Sequence, residues 1–149
     1  MTFGRYRELL AASLEQNYGI EADAYYLGKK YDIVGFSKDS EGRTAEICIV
    51  SVGADVQFVR DELDSLPEIM LSGLRSFSRD KESVFLRVFV MEDVPFELIR
   101  EVRAYKFTKA VKGQFWGYAE SQIVLVDVKS GQVYTNLAAE HKRNLFCFA

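Results

Sequence analysis

The sequence predicts a single α/β domain, spanning residues 1–149, in which a mixed central β-sheet is flanked by helices. Three observations carry that prediction. The segment TAEICIVSV is apolar on both of its alternating sets, Ile47 and Ile49 against Cys48 and Val50, as a strand covered on both faces must be. Runs with a repeat of three or four residues alternate with runs that repeat every two. The resulting order is an α-β-β-β-α-β core followed by an added helix and a β-hairpin at the end of the sequence, which places helices before, between and after the strands. At 149 residues the chain can bury a substantial core.

The elements follow in order. Phe3, Tyr6, Leu10 and Leu14 form one face of an amphipathic helix, with Thr2 as its cap and Asn17 and Gly19 as its stop. From Ala24 the chain reads as strands: AYYLG, a turn at Lys29-Lys30, YDIVGFS, the polar connection KDSEGR and then TAEICIVSV. Val56, Val59, Leu63, Leu66, Met70, Leu74 and Phe77 continue a helical period. Pro67, with a Ser65/Glu68 capping box beside it, predicts a break or kink and a new helix start. SVFLRVFVM is nearly continuous in apolar residues and reads as an interior strand. Asp93 and Pro95 open a further helix, PFELIREVRAYKF. QIVLVDV and QVYTN, joined by Lys129-Ser130-Gly131, form the hairpin, and a short tail ends in NLFCFA.

Composition narrows the function classes. The chain is 48% hydrophobic with two prolines, a globular balance, and holds no run long enough to span a membrane. The N-terminal stretch lacks the apolar core of a signal peptide, so a cytoplasmic location is expected. Two cysteines and one histidine, His141, supply neither a disulfide framework nor a zinc site. A net charge of −3 confines any nucleic-acid contact to a local patch. Phosphate-binding loops, dinucleotide glycine patterns and the G-x-S-x-G elbow are all missing. His141, in AAEHKRN, reads as an exposed residue, and Asp61, Glu62 and Glu68 as solvated helix charge.

Two acids stand out. Asp32 opens one strand and Glu46 precedes the apolar run of the next. Neighbouring strands lie about 4.8 Å apart, so acids at the same level could share Mg²⁺ or Mn²⁺ and activate a water for phosphodiester hydrolysis. An aspartate on the second strand and a glutamate on the third, in the order helix, three strands, helix, strand, resembles the restriction-endonuclease-like, or PD-(D/E)XK, superfamily over roughly residues 3–92. The resemblance implies metal ligation by Asp32 and Glu46, a catalytic lysine two positions after the glutamate, and sometimes a helical glutamate, for which Glu8 or Glu15 would serve. Here that lysine position holds Cys48, which has no positive charge. Lys29, Lys30 and Lys38 are near in sequence; Asp32, Glu46 and Lys30 make the expected catalytic set.

The segment REVRAYKFTKAVKGQFWGY spaces Arg100, Arg103, Lys106, Lys109 and Lys112 every three residues among Tyr105, Phe107, Phe115 and Trp116. Cations beside rings suit a nucleic-acid strand. The same charges also suit a solvated helix offset by Glu97 and Glu101. Two functional readings follow: a Mg-dependent endonuclease acting on DNA or RNA, or a non-catalytic pseudo-nuclease interaction module in a protein complex of a defence or mobile-element system. Aromatics at Phe115 to Tyr118 and Phe146 to Phe148 offer a surface for a homodimer or protein partner.

Overall fold

The computed structural model describes residues 1–38, 44–74, 82–106, 108–111 and 117–148. Its elements are α1 (Phe3–Leu14), β1 (Tyr18–Tyr26), β2 (Lys29–Ser37), β3 (Thr44–Val52), α2 (Val56–Leu74), β4 (Glu82–Met91), α3 (Phe96–Ala104), β5 (Thr108–Val111), β6 (Gly117–Asp127), β7 (Val133–Thr135) and a 3-10 helix (Leu137–Phe146). The strands form one mixed sheet in the order β1-β2-β3-β4-β6-β5, with β7 also paired to β6. β1, β2 and β3 are antiparallel neighbours, and β3, β4 and β6 run parallel. β5 and β7 share the outer edge of β6, one at each end.

Helices cover both faces. On one face Tyr6, Leu10 and Leu14 of α1, with Ala139 and Phe146 of the 3-10 helix, pack on Cys48, Val50, Leu86, Val88, Val124 and Val126. On the other, α2 and α3 bring Val59, Leu63, Leu66, Met70, Leu98 and Val102 against Ile47, Ile49, Phe85, Phe89, Ile123 and Leu125. Alternation along β3 and β4 divides their side chains between these clusters, so both strands carry apolar residues on both faces. No helix among the described residues is long and apolar enough to cross a membrane.

Several boundaries differ from the sequence reading, each for a local reason. The first strand starts at Tyr18, not Ala24, and the turn falls at Leu27 and Gly28, with φ of 50° and 82°; Tyr26 pairs with Lys29. Both central turn residues thus have positive φ, the geometry whose twist matches that of the flanking strands. Glycine supplies this freely at Gly28, which Lys29-Lys30 would not. Asp93 does not cap α3: Pro95 is its N-cap residue, without a side-chain bond, and Asp127 accepts the Val94 amide at 3.0 Å. That helix stops at Ala104 rather than running to Phe107. The tail folds into the 3-10 helix, capped by Asn136 on the Ala139 amide. Residues 39–43 of KDSEGR, and Phe77, lie outside the described residues.

The expected break at Pro67 is not there, and α2 continues from Val56 to Leu74 with Pro67 inside. Ser65 does not cap a new helix; its hydroxyl donates back to the carbonyls of Asp61 and Glu62, at 3.1 and 3.2 Å. Proline has no N–H, so the carbonyl four residues earlier, on Leu63, loses its helical donor. The Tyr105 hydroxyl replaces it, donating to Leu63 O at 3.2 Å from the end of α3. A helix defect is thereby converted into a tether between α2 and α3.

One charge interrupts the apolar run of β4. Arg87, only 3% exposed, donates to the carbonyls of Ile49 and Val88, to the Ser51 hydroxyl and to the Glu62 carboxylate of α2 at 3.2 Å. Its guanidinium lies 4.3 Å from the Phe89 ring centroid and 5.1 Å from that of Tyr31. Burial lowers its pKa from the ordinary arginine value, and Glu62 opposes that effect.

The tether predicts a coupling. Tyr105→Phe leaves the Leu63 carbonyl without a donor and lowers unfolding free energy by about 1 kcal/mol. In a Pro67→Ala background the restored amide takes that carbonyl, and the same substitution costs clearly less; urea titrations of the four proteins in the cycle measure both steps.

Candidate functional site

The antiparallel register of β2 and β3 runs from Ile33↔Val50 to Phe36↔Ile47. It separates the two acids. Asp32 lies beside the far end of β3, where its Oδ2 accepts the Val52 amide at 2.8 Å. Glu46 lies near the start of β3, beside Ser37, whose hydroxyl accepts the Glu46 amide at 3.1 Å. At about 3.3 Å per residue, Glu46 and Val52 are roughly 20 Å apart along the strand. The expected shared Mg²⁺ or Mn²⁺ therefore does not have its two ligands together, and no group of three or more potential metal ligands occurs among the described residues.

Asp32 sits at a corner. Asp23, across the hairpin, takes φ of 50°. Before the corner Ile33 packs with the α1 cluster, whereas Ala24 and Tyr31 beyond it pack with the α2 cluster. Residues two apart on a regular strand share a face, so the split between Tyr31 and Ile33 marks where the hairpin turns over. Arg7 of α1 fixes this point, donating to the Asp32 carbonyl at 3.1 Å and the Asp23 carboxylate at 3.0 Å and lying 3.6 Å from the Asp32 carboxylate. Beyond the corner Lys29 reaches Glu62 at 3.3 Å.

Glu46 belongs to a different cluster. Its Oε2 accepts the Tyr18 hydroxyl at 2.6 Å and the Lys142 ammonium at 2.9 Å. Tyr18 reaches it by crossing Gly35: a Cβ there would stand 3.1 Å from the Tyr18 Cβ and 3.2 Å from Cγ2 of Ile20. Burial first, and then the bond to Glu46, push the Tyr18 phenol well above its ordinary range. Lys142, buried on the 3-10 helix, also donates to Gln122 Oε1 at 2.6 Å, and the Gln122 amide donates to Glu120 at 2.9 Å. The parallel register aligns Glu46 with Val84 and Val84 with Glu120. The result is a polar row near the starts of the parallel strands, in which Lys142 bridges Glu46 and Gln122, and Gln122 in turn holds Glu120.

The remaining candidates are dispersed. Lys30 is exposed and pairs with Tyr25 near the hairpin tip, on the side of Asp32 away from Glu46. Lys38 donates to the Glu15 carbonyl at 2.6 Å, and Glu8 pairs with Arg5 on the surface. Cys48 is fully buried and its thiol is pushed up to about 12, mainly by burial, with Lys142 and Arg87 opposing. His141 is exposed, as the sequence indicates. Arg100 and Arg103 are exposed on α3 and Lys106 follows it; Lys109 lies on β5, and Lys112, Phe115 and Trp116 lie outside the described residues. Phe146 is core rather than surface, and Phe148 stacks edge-on with Tyr6 at 5.3 Å.

Sequence reasoning missed Lys142, Tyr18 and Gln122, and it took Glu62 for solvated charge. Lys142 stands 96 positions from Glu46. No local signal marks Lys142, which stands in the polar stretch AAEHKRN as one charge among several.

One family model matches the chain, described as a domain of unknown function (DUF8052), over residues 43–147. No curated protein and no solved structure matches it.

The two thiols should differ sharply. At pH 8, Ellman's reagent modifies exposed Cys147 in the native protein and reaches Cys48 only on unfolding. The folded Cys48 thiol titrates near 12 and an unfolded one near about 8.5. Above the lower value the unfolded chain releases a proton that the native chain retains, so stability is intact below about pH 8.5 and declines up to about 12. Denaturant midpoints measured across that window fall with pH, and Cys48→Ala makes the decline shallower.

Proposed function

For this chain, which belongs to the DUF8052 family, we propose the role of a non-catalytic interaction module, with an order of elements that resembles a nuclease and with its acids used as structural fasteners. The observation that carries this reading is the state of the Glu46 carboxylate, which holds the Lys142 ammonium and the Tyr18 hydroxyl on one oxygen. A divalent ion binding there would displace a buried cation and leave it unpaired, at a cost of several kcal/mol. Asp32 is likewise engaged by the Val52 amide and Arg7, at the other end of β3. Cys48, where the resembling family has its lysine, is packed among apolar side chains. Surface for a partner is present at the hairpin tip, where Tyr25 and Leu27 are exposed at the margin of the sheet.

A specific observation also favours the Mg-dependent endonuclease. Lys142 puts an ammonium 2.9 Å from Glu46, supplying from the 3-10 helix the charge that position 48 lacks. In that reading Glu46 would hold Mg²⁺, which would supply a Lewis acid for phosphodiester hydrolysis, and the Lys142 ammonium would stabilise the phosphoryl charge, with Glu120 a further carboxylate in the row.

Calorimetric titration with Mn²⁺, run beside Asp32→Ala and Glu46→Gln, decides between them. The interaction module predicts no saturable heat below millimolar Mn²⁺ in any of the three proteins and no Mn²⁺-dependent cleavage of single- or double-stranded DNA or RNA. Saturable binding that Glu46→Gln abolishes, together with cleavage, would replace it with the endonuclease.

A further inference from the structure

Between α3, β7 and the 3-10 helix lies a groove of about 330 Å³. Arg103, from the last turn of α3, and Arg143, from the last turn of the 3-10 helix, line it together with Tyr134, Thr135, Leu137 and Glu140. Both arginines are exposed, and neither guanidinium makes an ion pair or hydrogen bond among the described residues. Of the other surface arginines, Arg5 pairs with Glu8, Arg7 with Asp23 and Arg60 with Glu101, whereas Arg100 has no such partner among the described residues. Arg103 and Arg143 differ from Arg100 in lining one groove together, so in a chain of net charge −3 they concentrate positive charge at one place. Their mutual repulsion is relieved by an anion placed between them.

The wall that carries these groups is fixed. Asn136 accepts the amides of Ile123 and Ala139 at 3.0 and 3.2 Å and donates to the carbonyls of Tyr105 and Ser121 at 3.2 and 3.1 Å. All of its side-chain capacity goes into holding the β7 junction, so the adjoining Tyr134, Thr135 and Leu137 are presented on a rigid support. The hydroxyls of Tyr134 and Thr135 have no hydrogen bond among the described residues. Leu137 is 82% exposed beside the half-buried Tyr134 and adds apolar surface to the groove.

We propose that this groove binds a nucleoside monophosphate. Guanidinium forks match the oxygens of a phosphate monoester, and the two hydroxyls supply further donors. Tyr134 and Leu137 offer an apolar face to a base, and the volume suits one small ligand. Glu140, on the same groove, repels additional negative charge and so disfavours a polyphosphate or a continuous nucleic-acid strand, while it can accept from ribose hydroxyls or a base amino group. The inference stands apart from the interaction-module reading, since no residue of the Glu46 or Asp32 clusters lines the groove.

The test is calorimetric titration of the full chain with each of the four ribonucleoside monophosphates, with inorganic phosphate and the free nucleosides as controls. At least one monophosphate is expected to bind more tightly than both its nucleoside and phosphate. Arg103→Ala and Arg143→Ala each weaken that binding by about tenfold, and Arg143→Lys by less. Both arginines are exposed, so circular dichroism of the variants should match the parent. Absence of saturable heat with every monophosphate would overturn the proposal. So would equal affinity for nucleoside and monophosphate, or affinity unchanged in both alanine variants.

Discussion

A single guanidinium at the middle of the central strand sets how this domain packs. Arg87 stands in β4 where an apolar side chain would be expected, and its burial requires that its donors be satisfied by the protein itself. It does so by drawing in four different parts of the chain: the Ile49 carbonyl and Ser51 hydroxyl of β3, the Glu62 carboxylate of α2, its own neighbour's carbonyl and the Tyr31 ring of the hairpin. Desolvating such a pair costs about as much as its attraction returns, so its net effect on stability is small. Its effect on geometry is not. Loss of either partner leaves a buried charge, so the angle of α2 over the sheet and the folding of the hairpin tip are bound to one arrangement. Lys29 extends that constraint to the surface through Glu62.

The same logic accounts for the two acids that look catalytic in the sequence. A carboxylate on a strand end is useful to a nuclease because it is free to accept a metal. Here neither is free. Asp32 caps the Val52 amide at the corner where the hairpin changes face, and Arg7 ties that corner to α1. Glu46 is the anchor by which Lys142 holds the 3-10 helix on the sheet, while Ser13 and Tyr6 of α1 donate to the carbonyls of Leu145 and Phe146 in that same helix. Metal binding at either place would compete with the interactions that assemble the fold.

How legible this was depended on distance in the sequence. The α/β class, the buried β3 and β4, the Thr2 cap and the β6–β7 hairpin follow from local periodicity and turn chemistry, and the structure has them. Local signals also misled: Ser65, Pro67 and Glu68 spell a helix start, yet α2 passes through them because Tyr105, far along the chain, supplies the missing donor. The separation of Asp32 from Glu46 depends on the register of β2 against β3, which the polar segment KDSEGR does not spell out in the sequence. Lys142 and Arg87 were illegible for a related reason. Their partners come from other elements, and in composition they count only as charge. The groove beside β7 is half visible, since Arg103 belongs to a conspicuous basic run and Arg143 does not.

The central claim is that Glu46 is held in a structural bond with Lys142 and is not waiting for a metal. A double-mutant cycle measures that bond directly, with Glu46→Gln, Lys142→Met and the pair compared by urea unfolding. The account predicts a coupling energy of about 2 kcal/mol, because each single change strands a partly buried partner that the double change removes. Additivity within about 0.5 kcal/mol would contradict it, and would mean that the carboxylate stands in reserve for another ligand.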